Sequence, residues 1–182
     1  MGVQRLNHAV LYVRDVEVSK EFYGSTLGFR TVSEIPGAAF LQAPDSTNDH
    51  DLGLFQIGAD AGPDDAGRST VGMYHLAWEV DTLGELQRLA GELRERGALV
   101  GASDHGTTKS LYANDPDGLE FEVVWLIPAH LLTADDLAAR TSVGRLDLAV
   151  EIERFGLGEV GGVGISCPDR AHPPQPTLPN QR

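Results

Sequence analysis

The chain has 182 residues and a mass of 19.5 kDa, with 41% hydrophobic and 23% charged residues, which is ordinary for one globular domain with a short extension. Its formal net charge of −13 argues against nucleic acids and membrane surfaces as partners, because an acidic surface repels phosphate backbones and anionic headgroups. The sequence has no long apolar run, no signal-peptide pattern and a single cysteine, and we therefore expect a cytoplasmic protein.

Two segments of the chain begin alike and predict a repeated βαβββ unit. Residues 7–15 (NHAVLYVRD) and 74–81 (YHLAWEVD) are rich in β-branched and aromatic residues and end at an Asp, which predicts a strand followed by a helix N-cap. Amphipathic helical patterns then run to Gly28 and Gly97, a suitable residue for ending a helix. The short apolar runs that follow are Phe29–Val32, Ala39–Gln42 and Leu52–Ile57 in the first unit, and Ala98–Val100, Lys109–Ala113 and Leu119–Leu126 in the second.

This order predicts an α+β fold in which two βαβββ modules, at about residues 4–58 and 72–127, form a curved mixed sheet around a metal site. The modules make up a domain of residues 1–127, joined by a flexible connector rich in Gly, Asp and Ala. Residues 128–156 are predicted to be a helical extension, with a capping box that starts at Thr133 and an amphipathic helix over 145–155. Residues 157–182 are rich in Gly and Pro, which predicts a disordered tail.

Three side chains form a candidate metal site. His8 and His75 lie at equivalent points of the two predicted first strands, 67 residues apart. Glu122 shares one face of its predicted strand with Glu120, while the other face is apolar, and a carboxylate in such a strand is costly to bury unless it is paired or binds a cation. Two imidazoles and one carboxylate that leave coordination positions open suit the oxygen chemistry of Fe(II), and Mn(II) accepts the same ligands.

Other roles for these residues remain open from the sequence. A single histidine on a half-buried strand is more often a hydrogen-bonded core residue than a metal ligand, but the repeated position of His8 and His75, together with an inward carboxylate, favours the metal. Glu120 is a rival to Glu122 as the ligand, although it lies nearer the predicted turn at residues 115–118 and is therefore expected at the rim of the site.

With these residues in place, residues 4 to about 127 resemble the vicinal oxygen chelate superfamily, which includes glyoxalase I, bleomycin-resistance proteins and extradiol ring-cleaving dioxygenases. The finer resemblance is to the extradiol dioxygenases, whose signature is matched at every constrained position from His105 to Glu122 (HGTTKSLYANDPDGLEFE). Ser103 departs from the residues that the family prefers two positions before the histidine. Residues 49–55 (DHDLGLF) resemble the family's His-His-x-Leu-Ala segment, with Asp49 at the first histidine and His50 at the acid/base histidine.

The resemblance implies extradiol cleavage of a catechol-type substrate by dioxygen at a mononuclear non-haem Fe(II), or Mn(II), held by His8, His75 and Glu122. It implies that His50 is the acid/base catalyst and that Tyr112 hydrogen-bonds the substrate oxygen. His105 is implied to line the pocket and to assist substrate protons. The expected partners are a small aromatic diol and dioxygen, and a homodimer is compatible because modules of this family pair within one chain or between two.

Two other functions stay open within the same superfamily. A glyoxalase or epimerase would add a fourth protein ligand at the end of the first module, where Gln56 is the only polar candidate. A metal-free binding protein of the bleomycin-resistance kind generally lacks the metal residues, whereas this chain keeps His8, His75 and Glu122.

Overall fold

The computed structural model describes residues 2–3, 5–64 and 69–167, and it confirms the α+β class and the repeated βαβββ order. The first repeat consists of β1 (Ala9–Val13), α1 (Val16–Leu27), β2 (Arg30–Ile35), β3 (Ala38–Gln42) and β4 (Leu52–Gln56). The second consists of β5 (Leu76–Glu79), α2 (Leu83–Glu95), β6 (Leu99–Asp104), β7 (Thr108–Asn114) and β8 (Glu120–Leu126).

The strands of the two repeats form two sheets with the same internal order. In the first sheet the order is β1-β4-β3-β2, with β1 parallel to β4 and the other neighbours antiparallel. The second sheet has the order β5-β8-β7-β6 and is extended by a two-residue strand, β9 (Gly144–Arg145), which pairs antiparallel with β6. The first strand of each repeat therefore lies at the end of its sheet.

The described residues divide into two compact units. The first compact unit lies within residues 1–77, 88–101 and 112–122, and the second within residues 78–87, 102–111 and 123–167. The candidate residues His8, His50, His75, Tyr112 and Glu122 all belong to the first compact unit, whereas His105 belongs to the second.

Local capping explains where the helices of the repeats begin and end. Asp15 accepts the backbone N–H groups of Glu17 and Val18, as expected of an N-cap, and Gly28 ends α1 with a positive φ of 77°. The expected cap at Asp81 was wrong by one residue. Thr82 directly precedes α2, and its hydroxyl accepts the N–H of Glu85 at 3.3 Å.

The alternation predicted for β8 is confirmed. Phe121, Val123 and Trp125 are at most 2% exposed, whereas Glu120 and Glu122 on the opposite face are half-buried. Because side chains alternate along a strand, the same pattern that packs the apolar residues into the core directs both carboxylates to the other face.

A helical extension follows the second repeat, as predicted. It contains a single 3₁₀ turn (Ala129–Leu131), α3 (Ala134–Ala139) and α4 (Leu148–Phe155). The predicted capping box is present between Thr133 and Asp136. No helix within the described residues combines the length and apolarity needed to cross a membrane.

Residues 157–167 depart from the expected disorder. Val160 forms an antiparallel bridge with Thr82, and the N–H of Gly161 donates to the carbonyl of Asp81 at 2.9 Å. A Cβ at Gly161 would overlap the carbonyl oxygen of Leu126, so this close approach requires a glycine. Backbone groups make these contacts, so no apolar periodicity in the sequence indicated them. Residues 168–182 of the predicted tail and residues 65–68 of the predicted connector lie outside the described part of the chain.

An ion pair joins the two helices of the extension and predicts an acid-sensitive element. Arg154 donates from Nη1 to Asp136 Oδ1 at 2.8 Å, and Thr133 donates its N–H and hydroxyl to the other carboxylate oxygen. The bonds from Arg154, and then those from Thr133, hold the pKa of Asp136 well below its usual 3.8. Below this ordinary value the unfolded chain binds a proton that the folded chain does not, so the contribution of Asp136 to stability is present above pH 3.8 and is lost as the pH falls further.

We therefore expect Asp136→Asn to lower the urea midpoint at pH 7 and to flatten the loss of stability below about pH 4. Urea unfolding at a series of pH values measures both effects. Asp135→Asn changes the neighbouring exposed carboxylate and is the matched control. An Asp136→Asn protein with the wild-type midpoint at pH 7 would contradict the assignment.

Candidate metal centre

His8 and His75 occupy equivalent places in the fold. Each directly precedes the first strand of its repeat, because β1 begins at Ala9 and β5 at Leu76. Both histidines were expected within the strands. The ladder between β1 and β4 starts only at Ala9, whose N–H donates to the carbonyl of Asp51 at 2.9 Å, which leaves His8 just outside it.

His75 lies between two carboxylates of β8. Its Nε2 is 3.1 Å from Glu122 Oε2, and its Nδ1 is 3.7 Å from Glu120 Oε1. The Glu122 side chain is 13% exposed, less than that of Glu120 at 26%. His75 Nδ1 and Glu120 Oε1 are both buried atoms without a hydrogen-bond partner. Such atoms are costly to leave unpaired, so this cluster is suited to bind a further group.

The turn before β8 fixes the point at which the strand that carries these carboxylates begins. Asp115 Oδ1 accepts the N–H groups of Asp117 and Leu119, each at 2.9 Å, and its Oδ2 accepts the buried hydroxyl of Tyr23 at 3.1 Å. Burial raises the pKa of Asp115, although these hydrogen bonds oppose that shift, and burial also raises the pKa of Tyr23. Arg14 pairs with Asp117 at 2.8 Å, so residues from α1 and the end of β1 hold the turn.

A second cluster surrounds His8. The rings of His8 and His50 lie 4.6 Å apart between centroids, and the ring of Phe40 is 5.2 Å from that of His50. Asp49 Oδ2 is 2.9 Å from His50 Nδ1. The structure therefore places the proposed acid/base histidine against one of the proposed ligands.

The remaining two candidates lie in different compact units. Tyr112, on β7, has its ring centroid 5.6 Å from that of His75, with the two rings inclined at 62°. His105 belongs to the second compact unit, where its Nδ1 is 3.3 Å from the carbonyl oxygen of Ser142. Tyr112 thus joins the cluster of His75 and Glu122.

The two clusters do not form one complete metal site in this structure. Within the part of the chain described, no three His, Cys, Asp or Glu side chains are placed to hold one ion. His75 is brought to Glu122, and His8 is brought to His50 instead. The donors still fit a divalent cation, because two ligands each about 2.1 Å from an octahedral ion and at right angles to each other would be about 3 Å apart, close to the separation of His75 and Glu122.

Three contacts in this region were not anticipated from the sequence. They are the ion pair of Arg14 with Asp117, the packing of Phe40 on His50 and the hydroxyl bond of Tyr23 to Asp115. Of these residues, only Phe40 could have been noticed in the sequence. It is an aromatic residue on β3, the strand next to β4, and His50 lies just before β4.

The paired βαβββ order defines a small α+β domain, in which His75 and Glu122 lie in contact with each other. Its fold is similar to a glyoxalase/bleomycin resistance protein/dioxygenase domain from Frankia sp. EAN1pec, with a TM-score of 0.56 and 19% identity over 72% of this chain and 98% of that one. It is also similar to a glyoxalase/dioxygenase from Nostoc punctiforme, with a TM-score of 0.54 and 24% identity over 68% of this chain and 92% of that one.

Residues 5–123 match the model of the Glyoxalase/Bleomycin resistance protein/Dioxygenase superfamily, and the chain belongs to this family. It is similar to biphenyl-2,3-diol 1,2-dioxygenase 3 of Rhodococcus globerulus, with 34% identity over 63% of this chain and 59% of that protein. It is also similar to catechol-2,3-dioxygenase of Bacillus subtilis, with 30% identity over 65% of this chain and 40% of that protein. The chain therefore spans about 40–60% of the length of these curated relatives.

Proposed function

We propose that this chain cleaves the ring of a catechol-type substrate in the extradiol manner, using dioxygen and a mononuclear Fe(II). The observation that carries the proposal is the 3.1 Å approach of Glu122 Oε2 to His75 Nε2, at the end of a segment that matches the extradiol signature. The similarity to two proteins named as dioxygenases of aromatic diols supports the same reaction class.

His75 and Glu122 would hold the ion, and His8 is proposed as the third ligand. Fe(II) at these ligands supplies the electron transfer by which a catecholate reacts with dioxygen, and Mn(II) fits the same donors. With a divalent cation bound, the ligand set would carry a net positive charge because Glu122 contributes a single negative charge, and this charge would attract a catecholate anion.

Three further side chains are proposed to act on the substrate. A neutral His50 that donates Nδ1–H to Asp49 carries its lone pair on Nε2, and this nitrogen is proposed to accept and return a proton. Tyr112, beside His75, is proposed to hydrogen-bond a substrate oxygen and so to orient the ring. His105 is proposed to assist substrate protons, on the strength of its place in the signature.

The glyoxalase or epimerase alternative is disfavoured by the position of Gln56. Its Oε1 accepts the backbone N–H of Val16 at 3.1 Å, at the N-terminal end of α1. A glutamine that stabilises a helix N-terminus in this way would have to give up that bond to become a fourth ligand.

The test is anaerobic loading with Fe(II), followed by a set of catechols and then air, with absorbance recorded for a yellow ring-fission product. We expect the wild type to form the product and His50→Ala to lower kcat by roughly 10²–10⁴-fold while retaining the metal. His130→Ala, at a histidine that is 69% exposed, is the matched control and should behave as wild type.

Three results would redirect the proposal. Metal binding without product from any catechol would favour an isomerase or lyase, and failure to bind metal would favour a binding protein. Undiminished turnover by a metal-loaded His50→Ala would remove the acid/base role of His50.

A further inference from the structure

The ring of His105 contacts the helical extension that follows the second repeat. Its Nδ1 is 3.3 Å from the carbonyl oxygen of Ser142, which lies 37 positions further along the chain. A carbonyl oxygen only accepts hydrogen bonds, so the nitrogen that faces it must carry the hydrogen. Both residues belong to the second compact unit. The contact therefore favours the form of the ring that is protonated on Nδ1.

The carbonyl of Ser142 is fixed from both sides. The N–H and the hydroxyl of Ser142 both donate to the carbonyl oxygen of Ala139, the last residue of α3, at 2.8 and 2.6 Å. Two residues after Ser142, β9 begins at Gly144, which pairs with Asp104 at the end of β6. Because β9 runs antiparallel to β6, the residues that precede β9 lie beside those that follow β6, and this brings Ser142 to His105.

The turn that carries His105 is packed directly against α3. Gly106 has a φ of 73°, and a Cβ at this position would overlap the carbonyl oxygen of Asp136 and lie 2.9 Å from the backbone nitrogen of Arg140. The backbone N–H of His105 donates to the carbonyl of Thr108 at 3.0 Å, within the hairpin of β6 and β7. The hairpin thus fixes the backbone of His105, whereas the extension supplies the acceptor for its ring.

We infer that the helical extension positions His105 for the proposed reaction, and that Ser142 selects Nε2 as the nitrogen that exchanges protons with the substrate. In the neutral ring a hydrogen on Nδ1 leaves the lone pair on Nε2. In the charged ring Nδ1–H keeps its bond to the carbonyl, and Nε2 carries the proton that can be returned. Ser142 is a positioning residue, since its carbonyl acts through the ring of His105. The inference rests on the proposed function, in which His105 assists substrate protons.

The protonated nitrogen of His105 can be identified without turnover. Long-range ¹H–¹⁵N correlation spectra of the full chain, recorded without Fe(II) at a pH at which the histidine rings are neutral, distinguish the two neutral forms. The signals that disappear in His105→Ala belong to His105. We expect the Nδ1–H form to predominate in the wild type, which is the reverse of the preference of histidine in solution.

Two variants should release the ring. Ser142→Gly loses the hydroxyl bond to Ala139 and gives the backbone more freedom, and Gly106→Ala forces α3 away from the turn. Both should shift His105 toward the Nε2–H form. The matched controls are Ser69→Gly, at an exposed serine in a turn, and Gly37→Ala, at a glycine with a φ of 78° whose added Cβ would have no atom within 4 Å. Neither control should change the spectrum of His105.

A double-mutant cycle tests whether the extension acts through His105. In the ring-cleavage assay we expect His105→Ala to lower kcat roughly 100-fold, and Ser142→Gly or Gly106→Ala to lower it roughly tenfold. In a protein that already carries His105→Ala, the same two substitutions should change kcat by less than about twofold, because the ring that they position is absent.

A wild-type ring in the Nε2–H form, a ring that neither variant changes, or equal losses of kcat with and without the His105 ring would overturn the inference. A protein that opens no catechol, but in which His105 is held as Nδ1–H and released by both variants, would show that the extension orients His105 and would reject the proposed reaction.

Discussion

Glu122→Gln is expected to reduce the affinity of the protein for Fe(II) by more than roughly 100-fold and to abolish ring cleavage. Replacing a residue that only supports a metal ligand typically reduces affinity 10–100-fold, so loss of a direct carboxylate ligand should exceed that range. Glu122 Oε2 is 3.1 Å from His75 Nε2, whereas Glu120 faces the other ring nitrogen. This geometry supports the proposal that Glu122 is the ligand and that Glu120 accepts a bond from His75 Nδ1–H, which would fix the orientation of the imidazole.

Anaerobic calorimetry with Fe(II), or with Co(II) as a spectroscopic substitute, measures these affinities without reliance on activity. Glu120→Gln should weaken binding by roughly 10–100-fold and Glu34→Gln, on β2, should leave it unchanged. If Glu120→Gln were the more damaging substitution, Glu120 would be the metal ligand and Glu122 the supporting residue. If neither affected binding, the metal site at His75 would be wrong.

The repeat and the carboxylate strand could be predicted because each follows from a local pattern. Strand residues that alternate in polarity can pack only one way against a core. The sequence alone therefore predicted that Glu120 and Glu122 lie on the same face of β8. His8 and His75 could be matched for the same reason, since they directly precede equivalent strands.

What could not be predicted depends on contacts between distant residues or on the backbone. Arg14 and Asp117 are 103 positions apart, and nothing in either local pattern signals their ion pair. The bridge of Val160 to Thr82 rests on backbone groups and on a glycine at 161, a composition that otherwise predicts disorder. The contact of His8 with His50 could not be predicted either, because it depends on how the segment before β1 packs against the segment before β4.

A buried lysine lies inside the signature segment and pairs with two carboxylates. Lys109, on β7, is 1% exposed, and its Nζ is 2.7 Å from Asp104 Oδ1 and 3.3 Å from Glu151 Oε2 on α4. All three residues belong to the second compact unit. Removing one member of a buried ion cluster leaves the others unpaired in a poorly solvated place, which is more damaging than the loss of the attraction itself.

Lys109→Met keeps much of the volume of the side chain but leaves Asp104 and Glu151 facing each other, and we expect it to lower the free energy of unfolding by about 3 kcal/mol. Urea unfolding at pH 7 measures the change. Combining Lys109→Met with Asp104→Asn and Glu151→Gln should recover part of the loss, because the repelling charges are then removed. Lys20→Met breaks an exposed ion pair with Glu17 and Glu34 and should have little effect on the midpoint. A loss of less than about 1 kcal/mol for Lys109→Met, as expected for an exposed ion pair, would contradict this prediction. It would mean that the cluster is solvated and that Lys109 does not hold α4 to β6 and β7.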